Sequence, residues 1–291
     1  MTPTTGTGLG IVGVHGVGHY DPHRAADTVR AAYSADWARH LAAGLGVTAD
    51  RLDVGVAYYA PQLHHGLVAH GADPEELDDP LAQELMQEWL DALTAPAPVT
   101  QGALTLPLRY TASWVAQKFS LDGRLTHLFI RAFFREVATY LRHDDDPVRL
   151  AAREEVASRI AEHRPRVLIA HSLGTVITYE ALHAYPELHV ELLLTLGSPL
   201  ALPRAVFDRL LPRPAETRTG RLGARPEGIK RWVNIADPGD PVAIPPHLAR
   251  AFRGIGLDLT DTIHAGFGFH YAKNYLSCAA TAAILGPYLG L

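Results

Sequence analysis

The 291-residue sequence predicts an α/β fold, a mostly parallel central sheet flanked by helices. Three observations carry that expectation. Short apolar runs of strand length recur, at Leu9 to Val14, Leu52 to Tyr59, Val167 to Ile169, Val190 to Leu196 and Trp232 to Ala236. Stretches of helical period separate them, as βαβ units require. The run at Val167 to Ile169 passes into a helix over Thr175 to Tyr185 through Ala170, His171, Ser172, Leu173 and Gly174.

That junction organises the functional reading. A parallel strand bent sharply into a helix holds its turn residue in a strained conformation, with the side chain clear of the sheet. Small residues two positions before and after let the helix and the neighbouring strand approach closely. Here they are Ala170 and Gly174, so alanine stands at the first glycine of a Gly-x-Ser-x-Gly pattern. A serine before a helix is also an ordinary N-cap, so cap and nucleophile compete for Ser172. Its place between a buried run and a helix, with a glycine loop upstream, favours the nucleophile.

Composition sets the limits. With 47% hydrophobic and 20% charged residues, the chain can bury a sizeable core and fits one large domain with an insertion. The net charge of -5, without a basic stripe, argues against a nucleic-acid partner. The single cysteine, Cys278, excludes an intrachain disulfide, fits a reducing compartment and reads as buried filler in an apolar helical run. MTPTTGTGLG lacks the charged and apolar regions of a secretion signal, and no apolar run reaches the length of a membrane span. The expected location is therefore cytoplasmic, with no integral membrane segment.

In chain order, Leu9 to Val14 leads into His15, Gly16, Val17, Gly18 and His19. Two glycines let backbone N–H groups turn towards a ligand, as an oxyanion hole requires; a plain tight turn is the alternative. A phosphate loop is disfavoured, since no Gly-Lys-Ser/Thr ending follows. His15, His19 and His23 recur every four residues beside Asp21, yet the glycines argue against a helix that could align their rings on a metal, and no metal is expected. His15 is expected to order the loop by packing and hydrogen bonding.

Ala25 to Leu45 reads as a helix and Leu52 to Tyr59 as a second strand. From Pro61 the pattern changes to three helical stretches, near Leu81 to Leu93, Leu108 to Phe119 and Leu125 to Leu141. Residues 1–60 and 147–291 are thus expected to form the core, with 61–146 inserted as a helical cap. Leu128, Phe129, Phe133, Val137, Tyr140 and Leu141 form an aromatic stripe, read as core packing in preference to a wall for an acyl chain. His64, His65 and His70 read as solvated loop residues. Asp144, Asp145 and Asp146 before Pro147 read as the start of a helix reaching about His163. Ser198 reads as a turn residue, and Arg204 to Pro226, rich in arginine and proline, as a flexible surface segment. Leu257 to Ile263 is a last strand, then come His264, a Gly/Phe loop, His270 and a helix over Tyr271 to Leu285.

A serine hydroxyl becomes a useful nucleophile only beside a neutral imidazole whose tautomer a carboxylate fixes. Downstream of Ser172 lie Asp237 and Asp240, then His264 and His270. Asp237 opens a turn in which a carboxylate commonly bonds its own backbone, which leaves Asp240 free to face a histidine. His171 is set aside as base because neighbours at such a turn point apart.

The segments HGVG, AHSLG, LGSPL, WVNIADPGDPV and HYAKNYLS, in this order, resemble the α/β-hydrolase superfamily, and bacterial lipase/esterase-like members in particular. The resemblance spans nearly the whole chain apart from the insertion and the arginine/proline-rich segment. It implies that Ser172 attacks the acyl carbonyl of a small-molecule ester, with the backbone N–H of Leu173 and one from Gly16 or Val17 holding the oxyanion. It also points to Asp240 over Asp237 and to His270 over His264, and implies an acyl-enzyme route without a cofactor. Since the sequence starts at the strand before the oxyanion loop, the first strands of the full fold are expected to be missing. The same triad would serve an acyltransferase or thioesterase-like cyclase, and the same fold could be a binding module without turnover.

Overall fold

The computed structural model describes residues 9–69, 77, 79–93, 115–117, 123–263 and 270–290. Its strands are β1 (Leu9–Val14), β2 (Leu52–Ala57), β3 (Val167–His171), β4 (Val190–Leu196), β5 (Ala215–Thr217), β6 (Gly220–Ala224), β7 (Ile229–Ala236), β8 (Phe252–Arg253) and β9 (Ile255–Thr260). Its helices are α1 (Ala26–Leu45), α2 (Ala60–Ala69), α3 (Pro80–Ala92), α4 (Gly123–Leu141), α5 (Pro147–His163), α6 (Leu173–Ala184), α7 (Ala272–Ser277) and α8 (Ala279–Leu289). Six strands form one sheet in the order β2-β1-β3-β4-β7-β9, and every neighbouring pair is parallel.

The apolar runs of the sequence follow from this arrangement, because a parallel strand with helices on both faces is buried on both. All five residues of β3 are buried. Alternation divides the side chains between two cores. Val12, Val14, Leu168 and Ala170 face α5 and α6, whereas Ile11, Val167 and Ile169 face Trp37 and Leu41 of α1 and Leu276 of α7. The inserted helices join the first of these cores: Leu63, Trp89, Phe133 and Tyr140 cluster with Leu168 and Val176. As expected, the acidic run before Pro147 starts a helix, Asp146 capping α5 through Val148 N–H, and Asp79 before Pro80 caps α3 in the same way through Leu81 N–H.

The strand order places the site. From β1 the chain crosses to β2 on one side, and from β3 it crosses to β4 on the other, so the carboxyl ends of β1 and β3 flank a topological switch point, where open α/β sheets bind ligands. Val14 pairs with Ala170, which sets the loop after β1 level with the turn after β3.

Several local expectations are corrected. Residues 60–69 are helical, since Pro61 stands in the first helical turn, where proline is tolerated, and His64 stacks on Tyr20 at 3.8 Å instead of lying in a loop. His70 lies outside the described residues, as does most of the Leu108 to Phe119 stretch. Arg204 to Pro226 is an ordered segment: β5 and β6 pair antiparallel, β6 pairs with β8, and Val206, Phe207 and Leu210 are buried. Buried Arg149 and Glu180 anchor it, the carboxylate accepting from Leu211 N–H and the guanidinium donating to the Arg209 carbonyl. The closing helix breaks at Cys278, which is half-buried and accepts from Thr281 N–H at the start of α8.

Candidate active site

Ser172 occupies the turn between β3 and α6 with φ 56° and ψ -132°. An ordinary N-cap residue has extended dihedrals and bonds the first helical N–H groups; Ser172 has neither feature, so it is not a cap. Such backbone geometry in a non-glycine residue costs on the order of 1–3 kcal/mol and persists only where its surroundings impose it. Ser172 N–H donates to the Leu196 carbonyl, and the Ser172 carbonyl accepts from the backbone and the hydroxyl of Thr175. The hydroxyl of Ser198, in the loop after β4, bonds that of Thr175 at 2.8 Å. Two glycines make room for the turn. A Cβ on Gly174 would lie 2.2 Å from the His15 carbonyl oxygen, and one on Gly16 would lie 2.8 Å from Ser172 Cβ.

Across the cavity stands His270, whose Nδ1 lies 2.6 Å from Asp240 Oδ2. Asp240 Oδ1 accepts from Val242 N–H, and the Tyr275 hydroxyl donates to Oδ2 at 2.8 Å. Burial pushes the Asp240 carboxyl up, but the His270 charge and these hydrogen bonds outweigh it and bring it down to about 2. An ionised carboxylate only accepts, so Nδ1 carries a proton and Nε2 is the ring nitrogen left open towards the cavity. Asp237 takes another part: its oxygens accept from Gly239 and Ile263 N–H, both at 2.7 Å, and fix the turn. His264 lies outside the described residues.

Ser172 Oγ and His270 Nε2 are both buried and have no hydrogen-bond partner among the described residues. They line one cavity of about 260 Å³ together with Gly16, Val17, His19, Phe129 and Tyr271. They face the same space without bonding directly, as catalytic groups commonly do before substrate arrives. Phe129, from the aromatic stripe, meets the His270 ring edge-on at 5.4 Å, and His171 lies against it at 4.6 Å.

The loop after β1 is held from several sides. His15 stacks on Tyr59 at 4.1 Å and its Nδ1 lies 2.7 Å from the Gly16 carbonyl, so it orders the loop. The Tyr59 hydroxyl donates to the His15 and Gly16 carbonyls. Burial, helped by His19, holds His15 well below the usual imidazole range, and burial brings His19 down to about 4, so both rings are neutral at pH 7. Leu173 opens α6 directly after Ser172, and Gly16 and Val17 border the cavity that Ser172 lines.

Sequence reasoning missed Tyr275, Trp89 and Glu136 as parts of the site. Trp89 Nε1–H donates to the Pro241 carbonyl beside Asp240, and Glu136 Oε1 accepts from Gly18 N–H. A carboxylate inside the aromatic stripe of α4 was the one available signal. Among the described residues no cluster of His, Cys, Asp or Glu is placed to hold a metal ion, and no helix is long and apolar enough to cross a membrane.

No family profile, curated protein or solved structure matches this chain. Fold and geometry therefore define the class by themselves: an α/β protein with a parallel six-stranded sheet and, at its switch point, a strained serine facing a carboxylate-bound histidine.

Proposed function

We propose that this chain is a serine hydrolase of the α/β-hydrolase type, cleaving a carboxylic ester of a small molecule through an acyl-enzyme. The strand order, with the serine turn after β3, the acid after β7 and the base before the closing helices, supports the superfamily assignment. One observation carries the reading: Ser172 holds a strained backbone conformation, spends its hydroxyl on no described partner, and shares a cavity with the open nitrogen of an Asp240-bound imidazole.

In this reading His270 Nε2 takes the hydroxyl proton as Ser172 Oγ attacks the carbonyl carbon. The resulting oxyanion accepts from the N–H of Leu173 and from that of Gly16 or Val17, each such donor contributing roughly a hundredfold or more in rate. His270 returns the proton to the departing alcohol. Water then repeats the sequence on the acyl-enzyme and frees the acid, with no cofactor in either half. Asp240 keeps the ring in the tautomer that both halves need.

Labelling with a fluorophosphonate, followed by peptide mapping, tests the proposal. Wild type should react at Ser172 and Ser172→Ala should not. Equal labelling of both proteins, or none of the wild type, overturns it.

A further inference from the structure

The aromatic stripe of α4 contains one residue out of keeping with it. Phe129, Phe133, Glu136 and Tyr140 follow one another at helical spacing, and the third carries a carboxyl group. Its Oε1 accepts from Gly18 N–H at 2.8 Å, while Oε2 is buried without a hydrogen-bond partner among the described residues. A half-satisfied buried carboxyl is costly, and core packing alone would be better served by leucine or methionine. Gly18 has φ 77°, and a Cβ there would meet nothing within 4 Å, so glycine is needed at this point for conformation and not for space. The hydrogen bond thus fixes a left-handed residue directly after Gly16 and Val17, which border the cavity next to Ser172.

We infer that Glu136 is a positioning residue of the inserted helix, holding the Gly18 amide so that the N–H groups of Gly16 or Val17 stay aimed at the oxyanion. The inference rests on the serine hydrolase reading above. Gly18 N–H is bonded to the carboxylate while Gly16 and Val17, immediately before it, border the cavity beside Ser172, so a displaced Gly18 displaces them. The insertion then sets the geometry of the oxyanion loop as well as covering one face of the sheet. Around the carboxyl lie Tyr59, whose hydroxyl Glu136 helps push well above the usual range, and Arg135 on its own helix.

Loop geometry matters most where charge develops, so its loss should appear in kcat with KM little changed. Hydrolysis of 4-nitrophenyl butyrate and labelling by a fluorophosphonate provide the readouts, with thermal melting to monitor folding. Glu136→Ala should lose about tenfold to a hundredfold in kcat, the loss expected for a misplaced donor. Glu136→Gln should keep kcat within about threefold, because its amide oxygen accepts the same N–H. If Glu136→Ala does not fold, Glu136→Asp serves in its place: it keeps the charge, withdraws the acceptor by one methylene and should lose kcat similarly. Wild-type kcat in the alanine or aspartate variant, or an equal loss in the glutamine variant, overturns the inference while leaving the hydrolase reading intact. A wild type that neither turns over nor labels overturns both.

Discussion

The Tyr275 hydroxyl donates to Asp240 Oδ2 at 2.8 Å while accepting from Asp237 N–H at 3.0 Å, so one phenol on α7 fixes both ends of the loop that carries the acid. Burial and the neighbouring Asp240 charge hold Tyr275 well above the usual phenol range, which keeps it a donor throughout the working pH range. Tyr275→Phe leaves a buried carboxylate with one acceptor site less filled. It should cost about 1–2 kcal/mol of stability and roughly tenfold in kcat, read by melting and by ester hydrolysis. Unchanged turnover would show that Val242 N–H and His270 suffice to orient Asp240.

The two acidic residues of this loop do different work, and substitution should separate them. Under the proposed mechanism Asp240→Asn lets the ring take the wrong tautomer and should lower kcat by about ten thousandfold with the fold kept, the loss known for this substitution in a Ser-His-Asp triad. Asp237→Asn weakens acceptors for Gly239 and Ile263 N–H, so its effect should be chiefly on melting temperature. A larger kinetic loss at Asp237 than at Asp240 would reverse the assignment of the acid.

How much of this could be read from the sequence depends on the range of the signal. β3, the turn and α6 were legible because burial on both faces writes an apolar run, and close helix approach writes Gly174. The split between Asp237 and Asp240 had a local signal, since a carboxylate opening such a turn bonds its own backbone, whereas His270 was preferred over His264 through the family resemblance alone. α2 was not: Pro61 and the paired His64 and His65 suggest a loop, whereas packing against α4 and α5 decides the conformation. The segment after Arg204 was misread because Arg209 and Arg213 look like solvated charge, although Glu84 and Asp144 pair with them. Trp89 and Tyr275 act through single polar atoms across distances of 152 and 35 residues, and no local pattern encodes such a partner.

Close approach at the turn predicts opposite emphases for two glycines. Gly174→Ala drives a methyl group against the His15 carbonyl, a backbone atom that cannot swing away, so α6 must shift from β1. The expected cost is about 2–3 kcal/mol, measured by denaturant unfolding. Gly16→Ala meets Ser172 Cβ instead and should lower kcat more than stability. A Gly174→Ala protein as stable as wild type would mean that the strand and helix are less tightly apposed than described.

Glu136 gives a stability test that does not depend on catalysis. Burial raises its carboxyl from 4.5 to about 7, against the opposing pull of Gly18 N–H and Arg135. The folded protein therefore binds more protons than the unfolded chain between these values, and stability falls as pH rises through that window. Allowing for partial solvent contact, the loss is on the order of 2 kcal/mol by pH 8. Glu136→Gln abolishes it, so the melting temperature of the variant relative to wild type should climb between pH 5 and pH 8. A flat difference across that range would show that the carboxyl titrates freely.

The acid loop has its own tie to the insertion. Trp89, on α3, is buried with its ring edge against Phe134 and donates Nε1–H to the carbonyl of Pro241 at 2.6 Å. Pro241 directly follows Asp240, so movement of that carbonyl moves the carboxylate that orients His270. Trp89→Phe keeps most of the ring packing and removes the donor, leaving a buried carbonyl unpaired at a cost of about 1–3 kcal/mol. Val242 N–H and Tyr275 still hold Asp240, so kcat should fall only severalfold. Trp89→Ala adds a cavity and should cost about 3–5 kcal/mol in all. The informative comparison is the ratio of kinetic to stability loss in the phenylalanine variant: a drop in melting temperature with kcat untouched would make Trp89 a core residue and nothing more.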